Sequence, residues 1–190
     1  MRWLTLYARS RQAPASLAAT LVAAVVVRAL GRGGGAGDPQ FAALALTAGV
    51  TAASVGLGGQ DLALDRTAAI RWAPRRAAHV LLAGAAVAAV VLAVQTLGDD
   101  LAGTAFLVRD GVGLMGLAAI GAAVCGGQYA WTPPVTWVAV ALLAPAGSAS
   151  APMRVTTWIL QPPGTAAAMW TSLVLAVGGA VVYAFAGPRR

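Results

Sequence analysis

The sequence predicts an all-α integral membrane protein. It reads as six transmembrane helices, with a cytoplasmic amphipathic coupling-type helix between spans 2 and 3 and a short re-entrant or extracellular helix between spans 5 and 6. Three observations predict this. Of 190 residues, 59% are hydrophobic and 10% are charged, against about 25% charged in a soluble domain. Mean hydropathy is +0.76. The apolar residues fall into runs that match a bilayer core of about 30 Å, which a helix crosses in roughly 20 residues.

The charge inventory narrows the chemistry. All 13 cations are Arg, all 6 anions are Asp, and Lys, Glu and Asn are absent; together with heavy use of Ala, Gly, Arg and Val, this points to a bacterium with a GC-rich genome. Without Lys the chain has neither a P-loop lysine nor a Schiff-base amine. One Cys (Cys125) and one His (His79) make neither a disulfide framework nor a Cys/His zinc site.

The elements follow in order. Span 1, 13–30, is closed by Gly31 and the run Gly33-Gly34-Gly35. Arg2, Arg9 and Arg11 before it resemble the basic end of a leader, but the further spans downstream favour a retained first span. Span 2, 41–57, is entered through Asp38-Pro39, an N-cap acid and a first-turn proline. Span 3, 77–97, is the longest clean run and ends at Gly98, Asp99 and Asp100. Span 4, 111–129, has Asp110 as its expected cap.

Span 5, 133–145, breaks the pattern. It starts at Thr132-Pro133-Pro134 and loses apolar character at Ala144-Pro145, so its roughly 12 residues rise only about 18 Å. A second apolar piece, Met153 to Leu160, starts after Ser150 and ends at Gln161-Pro162-Pro163. A half-span followed by a re-entrant helix fits, and non-helical backbone at that depth must be buried in protein or line a cavity. Span 6, 166–185, is capped by Thr165 and stopped by Gly187-Pro188. All six belong to a single transmembrane domain, 1–190.

Orientation comes from the arginines. Nine (Arg2, Arg9, Arg11, Arg66, Arg71, Arg75, Arg76, Arg189, Arg190) fall on the side of the termini and four (Arg28, Arg32, Arg109, Arg154) on the other. This bias places both termini of a multi-pass plasma-membrane protein in the cytoplasm.

The segment from Gln60 to Arg76 then carries the densest cytoplasmic charge. Asp61 caps it and Pro74 ends it, giving about three turns of helix. Leu62 and Ala69, with Ile70 and Trp72 as further candidates, face the membrane, and Asp65, Arg66 and Arg71 remain for water or a partner. It reads as a membrane-surface helix with arginines on anionic headgroups, or as a docking helix for a cytoplasmic protein. Asp61 and Asp65 favour docking, and Arg75 and Arg76 complete the candidate set.

Arg109-Asp110 stands at the mouth of span 4. Ionisable residues at membrane depth are often functional, which makes this pair, with Trp158, a candidate pathway or gate. The favoured reading places both in the headgroup zone with Asp110 as a helix cap. Gly111-Val112-Gly113-Leu114-Met115-Gly116 matches GxGxxG, but it opens a membrane span and follows no strand, so it reads as close helix packing and not a dinucleotide loop. His79 shares a helix face with Arg75. The aromatics, among them Trp72, Trp131, Trp137, Trp158, Trp170 and Tyr183, sit at span edges as interfacial belts.

This layout resembles the membrane (permease) subunit of an ABC-2-type ABC transporter, as a small bacterial exporter-like member. Asp65-Arg66-Thr67-Ala68 followed by Pro74-Arg75-Arg76 is similar to that family's acidic helix, proline and basic re-entry between spans 2 and 3. The stretch from Pro145 to Pro163 stands where the family has its re-entrant helix. The chain is shorter than typical members, and the similarity lies in layout more than in letters. The resemblance implies a half-transporter that exports a hydrophobic or amphipathic substrate and pairs with a second permease subunit, the same or different. A cytoplasmic ABC ATPase subunit would dock on the helix 61–72 through Asp61, Asp65, Arg66, Arg71, Arg75 and Arg76. ATP and Mg would belong to that ATPase, with no cofactor, catalytic residue or metal in this chain. Membrane lipids are expected partners; nucleic acid is not.

Two other classes stay open. An accessory or structural subunit of a membrane complex would turn Gln95, Thr47, Thr51, Ser54, Thr171 and Ser172 toward neighbouring helices. An intramembrane lipid-modifying enzyme would need the acids Asp99, Asp100 and Asp110 with Arg109 as a cluster.

Overall fold

In lipid a backbone can satisfy its own polar groups only as a helix or a closed barrel, and the Ala-, Leu- and Val-rich runs, free of interior proline, take the first solution. The computed structural model describes residues 13–30, 38–58, 72–97, 101–145 and 150–189. Among the described residues there are seven α-helices and no strand: α1 (Ala13–Leu30), α2 (Pro39–Ser54), α3 (Trp72–Gln95), α4 (Thr104–Val124), α5 (Thr132–Leu143), α6 (Ala151–Thr156) and α7 (Ala166–Ala186). Short 3₁₀ turns follow α2 at Val55–Leu57, α4 at Gly127–Tyr129 and α6 at Trp158–Leu160.

Among the described residues, four segments are long and apolar enough to cross a membrane: Pro39–Leu57, Trp72–Gln95, Thr104–Val124 and Ala166–Ala186. Their outward faces are apolar, with Leu82, Val174 and Phe185 among the most exposed side chains. A water-facing monomer rarely shows so much contiguous apolar surface. The chain is a multi-pass, all-α membrane protein.

Local rules explain most helix ends. Asp38 caps α2, its Oδ1 accepting from the Gln40 N–H at 2.9 Å, and Pro39 follows in the first turn, where its missing N–H costs nothing. α3 already includes Trp72, so Pro74 lies within helical backbone at its start and does not close a helix before it. α7 ends at Gly187, whose φ of 66° is one an L side chain avoids. Thr165 precedes α7, but its hydroxyl bonds the Pro162 carbonyl at 3.0 Å and makes no side-chain cap.

The start of α4 departs from the sequence reading. The helix begins at Thr104, behind Gly103, and not at Gly111. Phe106 and Leu107 are buried apolar residues that carry the helix inward before the charges are reached. At its other end Gly126, with φ 105°, breaks the run.

α4 is the central helix, with 14 of its 21 residues buried. Each glycine of the 111–116 motif meets a different neighbour. A Cβ on Gly111 would press on Ala88 and on the Gly84 carbonyl of α3, and one on Gly113 would meet Trp158 and Ser172. At Gly116 a Cβ would run into the α7 backbone at Leu175 and Ala176, and Gly179 faces the Gly116 carbonyl in return. The motif lets three elements approach α4 closely, the use that small residues have in lipid.

At the end of the bundle that holds the start of α3, Tyr183 Oη donates to the Leu57 carbonyl at 2.7 Å. Arg189 closes the C-terminal carbonyls of α4, its N–H on Ala122 and its Nη1 on Val124.

Candidate functional site

Phe106, Arg109, Asp110 and Gly113 follow one another at helical spacings of three and four on α4, so they form one patch near the opposite end of the bundle. Adjacent residues on a helix do not normally face each other. Arg109 and Asp110 meet because the arginine folds back over its neighbour. Nε donates to Asp110 Oδ1 at 2.6 Å and Nη2 to Oδ2 at 3.1 Å. The other edge of the guanidinium bonds a turn of non-helical backbone. Nη2 donates to the Gln161 carbonyl at 2.9 Å and reaches that of Trp158 at 3.5 Å, while Nη1 donates to that of Pro162 at 3.1 Å. Arg109 lies 5.1 Å from the Phe106 ring centroid, and its own carbonyl accepts from Ser172 Oγ of α7 at 2.6 Å.

This arrangement uses what distinguishes Arg from Lys: a planar fork that serves a carboxylate and a second set of acceptors at once. Asp110 is 0% exposed and the Arg109 side chain 10%. The pair is neutral overall, and it satisfies carbonyls that would be costly to leave bare in an apolar setting. Asp110 is therefore not a helix cap. It lies two turns inside α4, held there by its partner.

The turn that Arg109 clamps belongs to the segment between α5 and α7. α5 spans 12 residues, as the sequence predicts, and stops before Pro145. Beyond it the chain re-enters the bundle: Trp137 Nε1 of α5 donates to the Thr156 carbonyl at 3.0 Å. Trp158 then fills the notch that Gly113 leaves, fully buried. Its expected place in an interfacial belt is overturned, because that notch buries the whole indole. Tyr183, expected in the same belt, is buried too, while Trp131 and Trp170 remain exposed. Gln161 Nε2 ties the segment to itself through the Arg154 carbonyl at 2.7 Å. Two atoms here, Trp158 Nε1 and Gln161 Oε1, are buried without a hydrogen bond.

The structure thus brings Arg109, Asp110 and Trp158 together. Asp61, Asp65, Arg66 and Arg71 lie outside the described residues, as do Asp99 and Asp100. Arg75 and Arg76 open α3; the Arg75 guanidinium sits 5.8 Å from the Trp72 ring centroid, and Arg76 lies against Gly187. Gly84 and Gly111 touch, so counting residues from that contact separates Arg75 from Arg109 by roughly 16 Å along the bundle. They form two sites, one at the start of α3 and one inside the bundle.

Sequence reasoning missed Phe106, read Gln161 and Pro162 only as a helix stop, and read Gly113 and Ser172 only as packing groups. Phe106 and Gly113 carried a usable signal, being one turn from the charged pair on the same face. Beside the clamped segment lies an apolar groove of about 470 Å³ between α4, α5 and α6, lined by Leu117, Pro133, Thr136, Trp137, Val140 and Thr156.

No family model, curated protein or solved structure matches this chain. A functional reading therefore rests on the clamp, the segment it holds and the groove beside them.

Proposed function

We propose that this chain is the transmembrane half of an ATP-driven transporter of the ABC-2 type, exporting a hydrophobic or amphipathic substrate and energised by a separate ATPase. The observation that carries the reading is the broken segment between α5 and α7, held on α4 by the buried Arg109–Asp110 pair. A bundle built only to be stable has no need of a half-length helix whose continuation turns back into the core. Transporters place such interrupted elements where a pathway is gated, and intramembrane ionisable pairs mark such places. The apolar groove beside the segment suits an apolar cargo, and Trp158 and Gln161, each with a polar atom unsatisfied where it stands, suit a segment that has a second position.

On this reading the spans are α1, α2, α3, α4, α5 with the segment that follows it, and α7, with both termini in the cytoplasm of the cell that holds the protein in its plasma membrane. Arg75 and Arg76, with the segment 61–71 before them, face the cytoplasmic ABC ATPase, which binds ATP and Mg. A second permease subunit completes the pathway. The chain is not itself an enzyme, since ATP hydrolysis falls to the partner.

The test is purification of the tagged full-length chain from its native membrane in mild detergent, with mass spectrometry of what accompanies it. A stoichiometric P-loop ATPase is the expected result. Recovery without one overturns the proposal.

One observation favours a second reading, an accessory subunit without a pathway. Thr47, Ser54 and Thr171 spend their hydroxyls on carbonyls of their own helices at 2.6–2.8 Å, and Ser172 bonds α4. Recovery with another membrane assembly and no linked ATPase activity selects that alternative.

A further inference from the structure

On the flank of the bundle, level with the clamp, α1, α2 and α3 converge on Gly49. Thr20 of α1 and Val87 of α3 close over that glycine so tightly that a Cβ there would meet both within 2.8 Å. Toward the start of α3 the three helices part and leave a crevice of about 180 Å³. Its walls include Ala53, Ala83 and Ala86. Leu17 and Leu82 form its lips and are 43% and 69% exposed, so the crevice opens sideways onto the apolar surface. From Val87 to His79 it follows α3 for eight residues, about 12 Å.

The far end of the crevice is polar, with Ser16 on one wall and His79 on the other. One turn beyond His79, on the same helix face, stands exposed Arg75, against the Trp72 ring. A Trp–Arg pair at the end of a membrane-length helix marks the level of the headgroups. Read from Val87 outward, the lining is apolar but for Thr20, whose hydroxyl is spent on the Ser16 carbonyl at 2.8 Å, then weakly polar at Ser16 and His79, and the cation Arg75 stands beyond it. A phospholipid has that same order from acyl chain through ester to phosphate. A soluble metabolite would find no polar group along the alanine walls.

We infer that the crevice between α1, α2 and α3 binds one acyl chain of an anionic phospholipid from the leaflet at the Arg75 end, with its phosphate beside His79 and Arg75. The site requires that the chain lie in a bilayer; it does not depend on an ATPase partner, so it and the transporter reading fail separately.

The experiment is native mass spectrometry of the delipidated full-length protein, titrated with dioleoyl phosphatidylglycerol or dioleoyl phosphatidylcholine. The first bound lipid should show a preference of roughly fivefold for phosphatidylglycerol, the factor that one arginine near an anionic surface confers. Arg75→Gln should remove the preference and leave weak binding of both lipids. Ala83→Leu, which fills the crevice, should lower binding of both. Ala86→Leu repeats that test should Ala83→Leu fail to fold, with helicity by circular dichroism as the check on each.

Equal affinity for the two lipids in the unaltered protein overturns the inference. So does undiminished binding in both filling variants, or displacement of the lipid by glycerol phosphate without tails. Disulfide cross-linking of Leu82→Cys between chains in native membranes, with Cys125→Ser in the background, would put a second copy in the crevice and overturn it as well.

Discussion

At the scale of single residues, Arg109 does two things that its neighbours cannot do for it: it neutralises Asp110 and it bonds the turn at Gln161 and Pro162. The two roles separate by substitution. Arg109→Leu strands a buried carboxylate and bares the carbonyls, and breaking a buried pair in this way costs about 3–5 kcal/mol. Asp110→Asn keeps the arginine on its carbonyls and should cost less. Arg109→Lys should recover little of the loss, because a point charge cannot serve the carboxylate and the turn together. Denaturant unfolding in detergent micelles gives the order, and thiol labelling of Gln161→Cys in a Cys125→Ser background adds a second readout: it should accelerate in Arg109→Leu and not in Asp110→Asn. Equal losses in the two variants would mean that the turn gains nothing from the clamp. Tyr183→Phe removes the hydrogen bond to Leu57 and leaves a buried carbonyl bare, for a loss of about 1–3 kcal/mol, measured by the same unfolding.

At the scale of elements, the contact between α4 and α7 rests on residues that have no side chain. Gly116 and Gly179 stand backbone against backbone, and the neighbouring Gly178 faces open space, with nothing within 4 Å of a Cβ built on it. Gly116→Val must therefore push the helices apart, with a loss of about 3 kcal/mol or more, at the upper end of what overpacking costs. Gly178→Ala should stabilise α7 by roughly 0.5–1 kcal/mol through helix propensity alone. Thermal unfolding of the two variants checks the pair, and a similar effect from both would refute the packing. How far such elements could be read in advance varied with the signal. Proline and length marked α5 and the broken segment, and a side-chain oxygen next to a proline marked the start of α2. The start of α4 was hidden, because Arg109-Asp110 ahead of an apolar run looks like a cap. Only the burial of Phe106 and Leu107, a tertiary fact, shows that the helix has already begun. Trp158 was misplaced for a related reason. A tryptophan near prolines fits an interface as well as it fits a notch, and the notch is made by Gly113, 45 positions away in the sequence.

At the scale of the whole molecule, the structure sorts the described residues into two chemically different ends. One gathers Trp72, Arg75, Arg76, Arg189 and the exposed Cys125 around the close of α4; the other gathers Arg109, the clamped turn and the start of α7. Among the described residues each end holds three arginines, Arg75, Arg76 and Arg189 against Arg28, Arg109 and Arg154, so the asymmetry that sets orientation belongs to the full sequence, where it is legible once the spans are counted. It turns the lone thiol into a topological probe. Cys125 follows the last turn of α4, outside the core, and an exposed thiol there reacts with a reagent that cannot cross the bilayer only from the side on which that end lies. In right-side-out vesicles Cys125 should stay unmodified, and in inverted vesicles it should label fully. Gly103→Cys in a Cys125→Ser background should show the reverse, since Gly103 opens α4 at the opposite end and a side chain there meets no neighbour. Labelling of both positions from one side would mean that α4 does not cross. Labelling of each from the side opposite to that expected would invert the protein and move Arg75 away from any cytoplasmic ATPase, which the proposed function does not survive.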